Sequence, residues 1–379
     1  MKKVILIPDS FKGTMSSLEI CSIMDGVIKS YYPEAQIEAL PVADGGEGTV
    51  ECFLEAIGGQ RIPVQAMNPF MEEMQSFYGL VSEGKTAIVE LAACAGLPLV
   101  ENRRNPLLAT TYGVGQLIAD AASRGVKEIV LGLGGSSTND GGVGMAAALG
   151  VVFRNQAGDS FVPTGGNLSE IASIDTSGLL PALSGITITA MCDVDNPLCG
   201  PHGASAVFGP QKGADPAMVE FLDKNLAHMN EIIKKDLGMD VNPMPGAGAA
   251  GGAGGGAVAF LGATLRSGIE TVLDAVNFDQ RCQGADLVLT GEGRIDFQSL
   301  RGKVIDGVSR RAQKCGAPVI AVVGDIGDNI EPIYDQGVVA VYSINRLAVP
   351  FSEAKLRSKK DLALTVDTIM RTIHTFAKA

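Results

Sequence analysis

Along the chain, short runs of β-branched and other apolar residues alternate with longer stretches whose apolar positions recur at helical spacing. This is the sequence form of an α/β fold built on parallel sheet. The runs that read as strands are VILIP (4–8), IEALPV (37–42), TAIVELA (86–92), EIVLGLG (128–134), TITAMC (187–192), LVLTG (287–291), VIAVVG (319–324) and VVAVYS (338–343). Ser16 to Glu19 is a capping-box pattern ahead of Ile20, Ile23, Met24, Val27 and Ile28, which predicts a helix that stops before Pro33. Asp215-Pro216 opens the longest predicted helix, with Val219, Leu222, Leu226, Met229 and Ile233 on its apolar face. Gly125, Gly238 and Gly316 stand at further helix ends. The run GAGAAGGAGGGA, 246–257, would pass for low complexity, but the apolar VAFLGATL follows it, where a disordered linker would be polar. It reads as a Gly-rich turn feeding a closely packed or ligand-facing helix, with a hinge as the alternative.

Composition narrows this picture. A chain of 379 residues exceeds one compact core, so two domains are expected. Its 48 glycines are nearly double the usual share of about 7%, so many backbone turns must be tight or bare. The net charge of -12 excludes a nucleic-acid surface or an anionic membrane as the partner, since both select basic stripes. Cysteines 21, 52, 94, 192, 199, 282 and 315 are scattered singly, without the spacing of a disulfide framework or zinc site, which points to a reducing cytoplasm. The start MKKVILIPDS is too short for a signal-peptide core, and no run approaches the roughly 18 apolar residues of a membrane helix. A soluble cytoplasmic protein is expected.

The candidate chemistry follows the strands. In open α/β sheets the ligand crevice lies outside the carboxyl ends of the strands, and there this chain places glycine, small hydroxyls and acids. PDSFKGT carries Asp9, Ser10 and Lys12; VADGGEGT carries Asp44, Glu47 and Thr49; GGSSTNDGG spans Gly134 to Gly142. CDVDNPLCG carries Asp193, Asp195 and Asn196; VFGPQKGA carries Gln211 and Lys212; TGEGRIDFQSLRGK carries Glu292, Arg294 and Asp296. Any one of these could be an ordinary turn. Together they supply what phosphoryl transfer needs: bare amides for phosphates, carboxylates for magnesium, fixed cations and a carboxylate base. Gly134, Gly135, Ser136, Ser137, Thr138 and Asn139, ahead of a helix near Gly144, are the candidate phosphate seat. Asp140, Asp193, Asp195, Glu292 and Asp296 are candidate magnesium ligands. Lys12, Lys212 and Arg294 are candidate charge clamps.

Other chemistries lack their parts. Histidines 202, 228 and 374 show no metal spacing, and GxSxG, HExxH, CxxC and the phosphate loop GxxxxGK[ST] are absent. GVGMAA (142–147) and GAGAAG (246–251) match the dinucleotide pattern GxGxx[GA], but neither follows a strand at once as that fingerprint requires. An NAD-dependent dehydrogenase and a non-catalytic ligand-binding protein remain distant alternatives.

Taken in order, PDSFKGT, PVADGGEGT, GLGGSSTNDGG, CDVDNPLCGPHGA, VFGPQKGA, GAGAAGG and TGEGRIDFQS resemble the bacterial glycerate kinase family, from residue 3 to about residue 370. The chain departs from the family pattern at Thr14-Met15, at Ser137 and at Val304 to Asp306, so no role is carried onto Lys303. The resemblance implies a Rossmann-like or flavodoxin-like parallel-sheet domain, 1–64 and 284–379, with a large α/β domain inserted at 65–283 and the active site in the cleft between them. It implies ATP-dependent phosphorylation of D-glycerate to 2-phosphoglycerate with magnesium; 3-phosphoglycerate as product, or another small hydroxy acid as acceptor, is the alternative. On this sequence Asp193 or Asp195 is the base or a magnesium ligand, with Asp140, Glu292 and Asp296 at the metal. Lys12 and Arg294 would clamp the glycerate carboxylate, and Asp9, Ser10 and Asn196 would bind the substrate. Asp44 and Glu47 would contact its hydroxyls or cap the helix beginning near Thr49. Gly134, Gly135, Ser136, Ser137, Thr138, Asn139 and Lys212 fall to the nucleotide. The implied partners are small-molecule substrates, with no nucleic acid or membrane, and the assembly a monomer or homodimer.

Overall fold

The computed structural model describes residues 1–43, 45–296 and 303–377. In chain order the strands are β1 Lys3–Pro8, β2 Gln36–Ala39, β3 Gln60–Met67, β4 Glu73–Val81, β5 Thr86–Glu90, β6 Glu128–Gly132, β7 Val152–Arg154 and β8 Ser160–Phe161. They continue as β9 Ser173–Asp175, β10 Thr187–Met191, β11 Thr264–Arg266, β12 Leu287–Gly291, β13 Arg294–Ile295, β14 Val319–Val323, β15 Asp325–Ile326 and β16 Val338–Ser343. The chain divides into two compact units, one of Met1–Asp44, Glu55–Ile57 and Gly268–Ala379, the other of Gly45–Leu54 and Gly58–Ser267. Residue 65, the anticipated start of the inserted domain, lies inside β3.

In the first unit five parallel strands lie in the order β2-β1-β12-β14-β16. Numbered within the unit, that is the flavodoxin-like order 2-1-3-4-5. The sheet is covered on both faces, which is why Val4, Ile5, Leu6 and Ile7 are all fully buried and the strand reads as a continuous apolar run. On one face lie the helices Ser17–Tyr31 and Phe351–Phe376, packing Ile20, Met24, Leu362 and Val366 against Val4, Leu6 and Leu289. The first of these helices starts as expected: Ser16 Oγ accepts from the Glu19 amide at 3.2 Å and Glu19 Oε2 accepts from the Ser16 amide at 3.0 Å.

The second unit holds a six-stranded sheet, β11-β10-β6-β5-β4-β3, parallel from β11 to β5 and antiparallel through β4 and β3. A small antiparallel sheet, β8-β7-β9, stands apart from it. β3 and β4 are not among the runs expected from the sequence. β3 carries Pro63 within QRIPVQAM, tolerable because it is the sheet's outermost strand. The helix Tyr112–Ser123 packs Val114, Leu117, Ile118 and Ala121 against Val89, Ile129 and Leu131. The long helix Pro216–Leu237 is capped by Asp215, whose Oδ1 accepts from the Met218 amide at 2.8 Å. It buries Leu222, Leu226, Met229 and Ile233 as its spacing foretold.

The Gly/Ala run is the close-packed alternative. A Cβ on Gly251 would come within 2.0 Å of the Thr138 carbonyl oxygen, and one on Gly256 within 2.2 Å of that of Gly141. The Gly141 amide donates to the Gly251 oxygen at 3.0 Å. The turn therefore locks against residues 138–142 and leads into the helix Ala253–Leu261. Among the described residues no helix is long and apolar enough to cross a membrane.

Candidate active site

In each unit the expected residues gather at the carboxyl ends of the strands. The first unit has its topological switch point between β1 and β12, where such sheets bind ligands. The loop after β1 is tied there, because the Asp9 amide donates to the Gly291 oxygen at 2.8 Å and the Ser10 amide to Asp9 Oδ1 at 2.6 Å. Lys12 follows, exposed. After β12 comes Glu292, buried, and then Arg294, exposed in β13, which pairs with β15. Gly293 backs onto the loop after β1: a Cβ there would stand 3.7 Å from the Lys12 nitrogen. The Arg294 guanidinium is flanked by Asp296 at 3.8 Å and Asp325 at 4.0 Å, so its charge is shared before any substrate arrives. Asp44 lies outside the described residues.

The second unit answers what the glycine-rich loop after β6 holds. A Cβ on Gly132 would lie 2.3 Å from the Gly45 oxygen, and one on Gly134 2.6 Å from Gly46 Cα. The Gly134 amide donates to the Gly45 oxygen at 2.9 Å. These glycines let two loops run backbone against backbone, an approach that any side chain would block. Ser136, Ser137, Thr138 and Asn139 turn inward, against expectation, and all four are buried. Ser137 donates from its amide and its hydroxyl to the Ala95 oxygen at 2.8 and 2.9 Å, Ser136 and Thr138 share a hydroxyl contact at 3.0 Å, and Asn139 Nδ2 donates to Ser205 Oγ at 2.9 Å. Of the expected phosphate seat, Gly135 is exposed and Gly134 partly so.

Asp140 explains the rest. Its Oδ2 accepts from the Thr111 amide and hydroxyl, both at 2.8 Å, from Thr110 Oγ1 at 3.4 Å and from the Gly144 amide at 3.3 Å, and its Oδ1 accepts from the Gly142 amide at 3.1 Å. The leading amides of the short helix Val143–Ala148, expected to face a phosphate, are thus taken by the chain's own carboxylate. Expected at the metal, Asp140 instead braces the loop from within. Burial pushes its pKa up, opposed by the hydrogen bonds from Thr111, Gly142 and Gly144. Lys212 is enclosed beside it, Nζ donating to the Thr138 oxygen at 2.6 Å and to Ser136 Oγ at 3.4 Å. Desolvation pushes the Lys212 pKa down to about 7, with the Asp140 charge opposing. It stabilises the loop from inside rather than reaching outward.

After β10, Asp193 and Asp195 are exposed. Ser267 Oγ donates to Asp193 Oδ1 at 3.2 Å, and Asn196 Nδ2 donates to the His202 oxygen at 2.8 Å, so Asn196 braces the turn that carries them. Glu47 is exposed and does not cap the next helix, Thr49–Ile57. That role falls to Glu90, whose Oε1 accepts from the Val50 amide at 2.6 Å. Glu90 is buried at the carboxyl end of β5, and burial pushes its pKa up to about 7, opposed by the Val50 amide. Sequence reasoning missed it, although TAIVELA sets an acid where every other candidate was found, at the end of a strand.

Among the described residues no group of three or more histidines, cysteines or acids is arranged to hold a metal. Magnesium asks for less, one or two carboxylates beside substrate phosphates. The exposed pair Asp193 and Asp195 fits that demand, as do Glu292 and Asp296 after β12; Asp140 does not.

The model of the glycerate kinase family matches residues 4–374. The chain belongs to that family. It is 45% identical over 368 residues to a protein named glycerate kinase from Bacillus cereus, covering 97% of each chain. It is likewise 45% identical over 343 residues to the glycerate 2-kinase of Escherichia coli, covering 90% of each. A crystal structure assigned as glycerate kinase 2 of Salmonella typhimurium LT2 matches with a TM-score of 0.89 at 41% identity, over 100% of both chains. Agreement over the full length makes both units family features, so the loops at their strand ends belong to the glycerate kinase fold itself.

Proposed function

We propose that this chain transfers the γ-phosphoryl group of ATP to the 2-hydroxyl of D-glycerate, releasing ADP and 2-phosphoglycerate. The observation that carries the reading is that exposed cations, Lys12 and Arg294, follow strands of the first sheet and exposed acids, Asp193 and Asp195, follow a strand of the second, in a chain matching the glycerate kinase family over residues 4–374. The relative named a 2-kinase supports the regiochemistry. Phosphoryl transfer asks the protein mainly for positioning and charge. Lys12 and Arg294 meet the carboxylate of the acceptor, with Asp9 and Ser10 beside them. The Asp193 and Asp195 pair presents the acceptor hydroxyl with a base, one of the two taking its proton. Glu292 and Asp296 are the residues that would hold magnesium, whose contribution there is to neutralise phosphate charge. Gly134 and Gly135 offer the bare amides, and Lys212 with Asp140 fixes their loop.

Phosphorus NMR of the products formed from magnesium-ATP and D-glycerate tests the reading directly. A 2-phosphoglycerate resonance rising with that of ADP is expected. A 3-phosphoglycerate resonance would overturn the regiochemistry, and intact ATP would overturn glycerate as acceptor.

A further inference from the structure

The first unit contains an open recess at the carboxyl ends of β1, β12, β14 and β16, closed on one side by the first turns of the helix Phe351–Phe376. Its wall is mainly apolar. Phe11 is buried at its floor, Ile344 lies beside it, and Phe351, two-thirds exposed, stands at the rim. Among the polar groups that line it are Lys12 from the loop after β1, Asn345 from the loop after β16 and Lys355 one turn into the helix. Neither the side-chain amide of Asn345 nor the Lys355 ammonium makes a hydrogen bond or ion pair among the described residues. Asp325 also lines the recess, 4.0 Å from Arg294.

A three-carbon hydroxy acid does not suit this place. Every carbon of glycerate bears oxygen, whereas the recess offers mainly aromatic and aliphatic surface. Aromatic faces, an amide placed to read a ring edge and two cations at the mouth match a flat heterocycle carrying an anionic tail. We propose that this recess binds the adenosine of ATP and ADP, the base against Phe11 and Phe351, its edge at Asn345, and the phosphates leading past Lys355 toward the acceptor held at Lys12. The inference rests on the phosphoryl-transfer reading and adds where the nucleoside sits. It also fits the second unit, where Asp140 already fills the helix start expected to seat a phosphate.

The test uses the full chain, fluorescent mant-ADP as probe, and Phe351→Ala and Lys355→Ala, both at exposed positions where folding should survive. Each substitution is expected to weaken mant-ADP binding about tenfold and to raise KM for ATP by a similar factor, while KM for glycerate stays unchanged. Irradiation with 2-azido-ADP is expected to label a peptide within residues 342–359. The proposal is overturned if the double variant binds mant-ADP as the unaltered chain does, or if the label lands on residues 131–144 instead. An unaltered chain that binds mant-ADP at Phe351 but leaves glycerate unphosphorylated would support the recess and overturn the acceptor. One that neither binds mant-ADP nor consumes ATP would overturn both.

Discussion

Asp140→Asn separates the two roles that an acid in this loop could have. The carboxylate accepts five hydrogen bonds, four on Oδ2 and one on Oδ1, all from within its own fold. Asparagine has one acceptor oxygen. Its less costly orientation keeps the oxygen toward Thr111 and Gly144 and turns the NH₂ toward the Gly142 amide, donor against donor. The lost charge-assisted bond costs about 1.5–3 kcal/mol, and stranding the buried Gly142 amide about 1–3 kcal/mol more. Relief of the buried charge, evident in the raised Asp140 pKa, offsets part of this. A net loss of about 3 kcal/mol is expected.

For a unit of this size, about 2–4 °C per kcal/mol gives a fall in melting temperature of about 6–12 °C, readable by calorimetry. Thr111→Val removes a hydroxyl that donates to Asp140 Oδ2 at 2.8 Å and accepts from the Met145 amide at 2.9 Å. In the Asp140→Asn background its effect should be less than additive, because the two side chains share one network. Unchanged melting, together with lost activity and a weakened magnesium dependence, would refute the bracing role and return Asp140 to the metal.

Further outcomes follow from the buried charges and the exposed acids. Glu90, at about 7 against an ordinary 4.5, binds its proton more tightly folded than unfolded, so its contribution is full below pH 4.5 and is lost as pH rises toward 7. Denaturant titrations should show Glu90→Gln removing a decline of about 3 kcal/mol across that window; equal slopes in the two proteins would refute this. Lys212, at about 7 against 10.5, does the converse: unfolding takes up a proton between those values, so stability rises with pH there by up to about 5 kcal/mol. Lys212→Met should flatten that rise in the same titration, and a rise that survives would mean the ammonium is hydrated. Whichever of Asp193→Asn and Asp195→Asn lowers kcat about 10²-fold or more with KM little changed identifies the base; full activity in both would place the base elsewhere.

Much of the fold was legible because burial leaves a periodic mark. Strands covered on both faces read as unbroken apolar runs, and every run named from the sequence lies on a strand of one of the two large sheets. What escaped were elements whose stability comes from context. β3 and β4 pair with each other at the edge of the second sheet, where Pro63 and alternating polar residues dilute the pattern. Glu90 escaped differently: its position was visible, but its partner, the Val50 amide, lies 40 residues away.

The glycine-rich loop shows why a site is harder to read than a fold. A glycine is required wherever backbone meets backbone, and the residue type does not say whether the second surface is a phosphate or another loop. In GLGGSSTNDGG the second surface is the chain itself: Gly45 and Gly46 against Gly132 and Gly134, and Gly251 against Thr138 and Asn139. The acid that seemed free to hold a cation serves the same end, since Asp140 places a negative charge on helix-leading amides that a phosphate would otherwise take. Motif order therefore identifies the chain as a glycerate kinase family member, while within the motif the buried side chains are engaged by the chain itself. Holding such a loop's shape takes residues buried within it, and exposed polar groups lie elsewhere: Lys12, Asp193, Asp195 and Arg294 after the strands, and Lys355 in the helix Phe351–Phe376.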